Sequence, residues 1–113
     1  MKKTIFHICS KHAWAKAQEE GEYSGDTLIT EGFIHCSTPE QVIEVANNLF
    51  KGNSDLMLLV IDENGIAPEV KYEDGGNRKL YPHIYGPLNL NAVVKTVDFP
   101  VNSDGYFEMP RLE

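Results

Sequence analysis

Six consecutive apolar residues, Leu56-Met57-Leu58-Leu59-Val60-Ile61, constrain the fold more than any other stretch of this chain. A run with no polar residue alternating through it reads as a strand covered on both faces. It stops at Asp62-Glu63-Asn64-Gly65, which is turn chemistry. A strand covered twice needs material on both sides of its sheet, and 113 residues are enough to supply it without disulfides or metal. The expected organisation is a single domain over residues 1–113, with an irregular tail at 101–113. Hydrophobic residues at 42% and charged residues at 24% agree with a soluble globular chain and exclude a disordered one.

The remaining elements follow from local signals. Thr4 to Cys9 is rich in β-branched and aromatic residues and reads as the first strand. Ser10 is a good cap for a helix over Lys11 to Glu20, with Trp14, Ala17 and Ala13 as its apolar stripe and Gly21 as its stop. Residues 22–32 read as an excursion with local turns. Phe33 to Cys36 forms a second strand. Thr38-Pro39-Glu40-Gln41 then reads as a helix start, with Thr38 as cap, Pro39 in the first turn and Gln41 completing a capping box. That helix places Val42, Val45, Ala46 and Leu49 on one core-facing stripe and ends at Gly52. Val70 to Glu73 alternates as a strand, Asp74 to Asn77 is a loop, and Asn91 to Phe99 is a last long strand. Pro82 and Pro87 make Tyr81 to Leu88 an edge or a shaped loop. Two helices in the first half among several strands predict an α+β fold, a single compact domain with a split or strongly curved mixed sheet.

Charge narrows the partners. Ten basic residues against 17 acidic ones leave a net charge of −7, and Arg78 and Arg111 are the only arginines. Nucleic-acid binding needs clustered cations facing phosphates, so DNA is excluded and RNA disfavoured. The apolar run after Met1-Lys2-Lys3-Thr4 is broken by His7, Ser10, Lys11 and His12, too soon for a signal peptide or a membrane span. Cys9 and Cys36 lie in short β-like apolar runs and read as buried free thiols of a reducing, cytoplasmic compartment.

Three histidines interrupt apolar strands. A period of two puts His7 on the face opposite Phe6 and Ile8, His35 on a face with Phe33 and Ser37, and His83 in line with Tyr81 and Tyr85. One strand histidine alone is more often a satisfied structural residue. The three together suggest a cleft for a polar aromatic ligand, with imidazoles meeting ribose hydroxyls and tyrosine rings stacking on a base or pyridine. A three-histidine metal site is the weaker reading, because no ligand pair sits at metal-binding spacing. Glu73 reads as a polar turn residue or as a carboxylate at the cleft edge. Gly75-Gly76 lacks the spacing and lysine of a phosphate loop, and no Gly-x-Ser-x-Gly elbow is present.

Three motifs carry a family resemblance: IFHICS at residues 5–10, EGFIHCSTPEQV at 31–42 and YPHIYGPLNLNAVV at 81–94. Together they resemble a family of small bacterial proteins called domain of unknown function 952, over nearly the whole chain. That family is similar to the ADP-ribosyltransferase superfamily, in particular to its two-histidine branch with the RNA 2′-phosphotransferases. The resemblance implies that His7 is the first histidine, contacting an NAD ribose, and that His35 with Ser37 forms the second motif. The third motif holds His83 and Tyr85 where many such enzymes place a glutamate. His7 is followed by Ile8-Cys9, where the superfamily commonly has Gly-Ser or Gly-Thr, and the arginines that hold RNA are missing.

The resulting expectation is an ADP-ribosyltransferase-like domain binding NAD or a related nucleotide as substrate, with no metal. His35, His83 and Glu73 are its candidate catalytic residues, and His7, Ser37, Tyr81 and Tyr85 its candidate binding residues. The acceptor is expected to be a small molecule or a protein side chain. A non-catalytic nucleotide or small-molecule binding domain is the alternative, and a three-histidine metal site comes third.

Overall fold

The apolar run lies in β4 (Leu56–Asp62), the middle strand of a sheet in which β1 (Thr4–Ser10) and β8 (Val93–Asp98) flank it, both antiparallel. A computed structural model describes residues 3–112; Met1, Lys2 and Glu113 lie outside the described residues. Both faces of β4 are covered, as its composition requires. Leu59 and Ile61 enter one core cluster with Ile5, Cys9, Ile34 and Ile84; Leu58 and Val60 enter a second with Phe6, Val42, Ala46 and Phe99. Each fully buried Leu or Ile contributes ~1.5–3 kcal/mol relative to exposure, so these two clusters dominate the fold's cohesion.

A second sheet has the order β3-β6-β5, from β3 (Ile34–His35), β6 (Leu80–Tyr85) and β5 (Glu69–Asp74). The two sheets meet where Phe6 and Ser37 exchange backbone hydrogen bonds of 2.8 Å in both directions. A small ladder of β2 (Glu22–Tyr23) with β7 (Leu88–Asn89) completes the strands. The sheet is therefore split, as expected. Every ladder is antiparallel, so the expected mixed sheet is corrected: no β-α-β crossover links neighbouring strands of either sheet.

Helix α1 (Lys11–Glu20) has the expected bounds. The Ser10 hydroxyl accepts from Ala13 N at 3.0 Å, and Gly21, at φ 85°, donates its N–H to Ala17 O. The expected two helices become three, because α2 (Gly25–Thr30) forms within the presumed excursion. None of its six residues is fully buried and only Leu28 packs on the core, so no apolar stripe marks it in the sequence. Helix α3 (Val42–Leu49) starts later than its capping signal suggests. Gln41 Oε1 does accept from Thr38 N, but its amide also donates to Leu80 O at 2.7 Å, tying this turn to β6 before the helix begins. Val42 and Ala46 are fully buried, whereas Leu49 is 73% exposed and is no core residue. The second strand is shorter than its apolar run, Ile34–His35 alone.

Residues 81–85 also correct the expectation. They belong to the central strand of the second sheet despite Pro82, which is fully buried. Cys36 N donates to Pro82 O at 3.0 Å, just beyond the two-residue β3 ladder. An antiparallel residue points its N–H and C=O to the same side, so the missing proline donor falls where β3 has already ended. After Asp98 the described chain has no helix or strand, yet Phe99 and Phe107 stack at 4.8 Å in the second cluster. No helix among the described residues is long and apolar enough to cross a membrane.

Candidate functional site

The register of the second sheet decides which side chains share a face. His35 lies opposite His83, Lys71 opposite His83 on the other side, and Glu73 opposite Tyr81. Strand alternation therefore puts His35, His83, Tyr81, Tyr85, Lys71 and Glu73 on one face, while Ile34, Ile84 and Val70 turn into the core. Tyr81, His83 and Tyr85 do align, as their spacing in the sequence predicts. Phe33, just before β3, covers this row: its ring stacks on His83 with centroids 4.1 Å apart and meets His35 at 4.7 Å.

His7 arrives from the first sheet, where β1 carries Ile5, His7 and Cys9 on one face. Its Nδ1–H donates to His35 O at 2.5 Å, which leaves Nε2 to accept from the Tyr23 hydroxyl at 2.7 Å. The tautomer is thus set by its partners, and burial holds the ring neutral by lowering its pKa to about 4. The chain of bonds continues inward to the Cys9 thiol, whose pKa burial pushes up to about 12. Burial likewise raises the Tyr23 hydroxyl and the Cys36 thiol.

A cleft of about 930 Å³ opens between these elements. His7, His35, His83, Ser37 and Tyr81 all line it, beside Phe33. Two of these are enclosed yet incompletely bonded. Ser37 and His83 are each 5% exposed. His83 Nδ1 faces Glu73 Oε1 at 2.8 Å, while Nε2 has no hydrogen-bond partner among the described residues. The Ser37 hydroxyl has none either, its backbone alone being engaged by Phe6. No side-chain nitrogen or oxygen shut off from solvent lacks a partner among the described residues, so both atoms keep some solvent contact, and both residues line the cleft.

Glu73 and Tyr85 stand apart from the other candidates, because neither lines the cleft. Glu73 Oε1 accepts from the Tyr85 hydroxyl at 2.5 Å as well as from His83, and those two bonds hold its carboxyl below the usual range. The same bond raises the Tyr85 hydroxyl. Glu73 therefore touches the cleft lining only through His83, and the aromatic carbocyclic side chains on the lining near His83 are Phe33 and Tyr81, not Tyr85. His7 is at the cleft, but both its nitrogens are spent within the fold. That also removes the three-histidine metal reading, since a ligating imidazole needs a free nitrogen. No group of three or more His, Cys, Asp or Glu among the described residues is arranged to hold a metal ion.

The family model described as "Protein of unknown function (DUF952)" matches residues 8–96. The chain belongs to this family. Among solved structures, the crystal structure of protein CC0527 from Caulobacter crescentus is 30% identical, covers 93% of each chain and has a TM-score of 0.86. A double mutant of that protein gives the same values, and its solution NMR structure, 31% identical over 91% of this chain and 90% of that one, has a TM-score of 0.80. No curated protein matches this chain. These matches establish family and fold, and activity has to be argued from the cleft.

Several residues around the cleft escape sequence reasoning. Tyr23 engages His7 Nε2, but the two-residue strand that carries it has no period to read. Asp26, Thr27 and Glu31 line the cleft from α2 and its end, and Glu31 Oε1 sits 3.2 Å from His35 Nε2. Phe33 shares His35's face in the alternation, and that was its one legible signal. Gly75 also belongs here: a Cβ on it would meet the Tyr81 ring at 2.6 Å, so only glycine lets this tyrosine lie against the loop.

Proposed function

We propose that this chain is an ADP-ribosyltransferase-like domain that binds NAD or a related nucleotide by its nicotinamide–ribose half. The observation that carries the reading is the pair of enclosed polar atoms turned into one cleft, Ser37 Oγ and His83 Nε2, beside the Phe33–His83 stack. A hydroxyl and an imidazole nitrogen suit a ribose diol or a carboxamide, and the aromatic wall suits a flat ring. The order of the motifs agrees with the resemblance, with a histidine on the first strand and His35-x-Ser37 on the segment bonded to it.

In this reading the ribosyl C1′–nitrogen bond breaks, and its electron pair goes to the pyridinium nitrogen to release neutral nicotinamide. The acceptor's nucleophilic atom bonds to C1′ and passes its proton to His83 Nε2. Glu73 holds the Nδ1–H of that ring and stabilises the imidazolium that forms, so Glu73 positions and His83 accepts. His35, half-exposed at the mouth, borders the ligand rather than the fold. The acceptor is a small molecule or a protein side chain, because a net charge of −7 opposes an RNA. One observation favours the non-catalytic alternative: the Glu73 carboxylate does not itself reach the cleft.

A thermal-shift titration tests binding. A nicotinamide nucleotide at ~100 times its dissociation constant raises stability by about 2.7 kcal/mol. His35→Ala and Ser37→Ala should abolish the shift while leaving the unliganded protein folded. Equal affinity in both variants rejects this site. Time-resolved assay of free nicotinamide then separates the readings: release identifies a transferase or hydrolase, and saturable binding without release identifies a binding domain.

A further inference from the structure

We infer that the group this cleft accepts is a planar, unphosphorylated cation, an N-substituted pyridinium or a similar heteroaromatic cation. The inference rests on the cleft reading and specifies its ligand further. Three carboxylate residues line the cleft, Asp26, Glu31 and Asp74, and no lysine or arginine does. The lysines that follow lining residues in sequence are committed elsewhere: Lys11 Nζ lies 3.7 Å from Asp98 Oδ1, and Lys51 Nζ donates to the Tyr106 hydroxyl at 3.0 Å. Lys79 Nζ bonds Glu44 Oε1 at 2.8 Å and Lys71 Nζ lies 4.9 Å over the ring of Tyr85, and neither residue lines the cleft. Arg78, on the loop beside Asn77, does not line it. His7 supplies no charge, because both its nitrogens are engaged in the neutral form.

A phosphate placed here would meet Asp26, Glu31 and Asp74 with no lysine or arginine on the lining to offset them, within the field of a chain carrying −7. A flat cation meets the opposite: carboxylates around it and aromatic faces of Phe33 and Tyr81 beside it. Ser37 Oγ and His83 Nε2 add the directional contacts. Neither atom has a hydrogen-bond partner among the described residues, both belong to residues only 5% exposed, and they mark where the ligand's hydroxyl or amide belongs. In a dinucleotide, therefore, the pyridinium half enters and the phosphates stay toward solvent.

Calorimetric titration with five probes tests this: 1-methylnicotinamide, neutral nicotinamide, nicotinamide riboside, nicotinamide mononucleotide and NAD. The methylated cation should bind at least ~5-fold tighter than nicotinamide, and the riboside roughly tenfold tighter than its phosphorylated forms. Added salt should weaken the cations and spare nicotinamide. The Asp26→Asn, Asp74→Asn double variant should do the same; both residues are exposed, and asparagine keeps the Oδ1 that Gly76 and Arg78 N–H groups use. NAD binding as tightly as the riboside overturns the inference and leaves the nucleotide reading standing. Cation preference with no gain from the ribose supports the inference and removes the ribosyl reading. Failure of all five probes overturns both.

Discussion

Replacing His7 by glutamine should flatten the acid limb of this protein's stability profile. In the native state the ring is neutral, with Nδ1–H on His35 O and Nε2 taking the Tyr23 hydroxyl, and desolvation lowers its pKa from 6.5 to about 4. The unfolded chain titrates near the ordinary value, so between the two pKa values it binds more protons than the folded one. Stability then falls as pH drops through this window, and the loss levels off below the folded pKa. A difference of this size integrates to about 2 kcal/mol between about pH 7 and about pH 5. Glu73 does not compete in this window: its carboxyl is depressed, so its contribution persists and disappears only at lower pH. Urea melts of wild type and His7→Gln at both pH values give the comparison. The variant should be less stable at neutral pH, having lost the Tyr23 bond, and should lose less on acidification. Equal losses in the two proteins, or a His7 imidazole seen by NMR to titrate near 6.5, would refute the reasoning.

Two further outcomes check the local physics. Ser10→Ala removes the oxygen that accepts from Ala13 N and should cost ~1 kcal/mol in denaturant melts, with little change at the cleft. Cys9 and Cys36 are buried free thiols with raised pKa values, so a thiol-specific chromophoric reagent should modify the folded protein far more slowly than the urea-unfolded chain. Rapid labelling of the folded protein would show that this region of the core is more accessible than described.

How much was legible follows the range of the forces involved. Helix α1 was readable to its ends because Ser10 and Gly21 act within four residues of their partners. The double burial of β4 and the common face of Tyr81, His83 and Tyr85 were readable because strand alternation is a local period. Helix α2 was missed because only Leu28 of its six residues packs on the core, too little for an apolar stripe, and α3 was placed early because the turn that begins at Thr38 precedes its regular helix at Val42. Pro82 argued for an edge, and only the end of the β3 ladder at His35 shows why a proline fits the middle of a sheet.

By itself, then, the order of residues determined the elements with local signatures, the apolar run that demands two cores, and which three histidines interrupt apolar strands. Tertiary structure alone decided what those histidines do. The Phe6–Ser37 junction brings β1 beside β3, where His35 O takes the Nδ1–H and fixes the His7 tautomer, and Tyr23 of β2 then spends the other nitrogen. The same packing leaves Ser37 and His83 on the cleft lining, each with an unpartnered polar atom, and keeps Glu73 and Tyr85 off that lining although they share the face of His83. Hydrogen-bond commitment depends on which distant partner arrives within about 3 Å, and no local period encodes that.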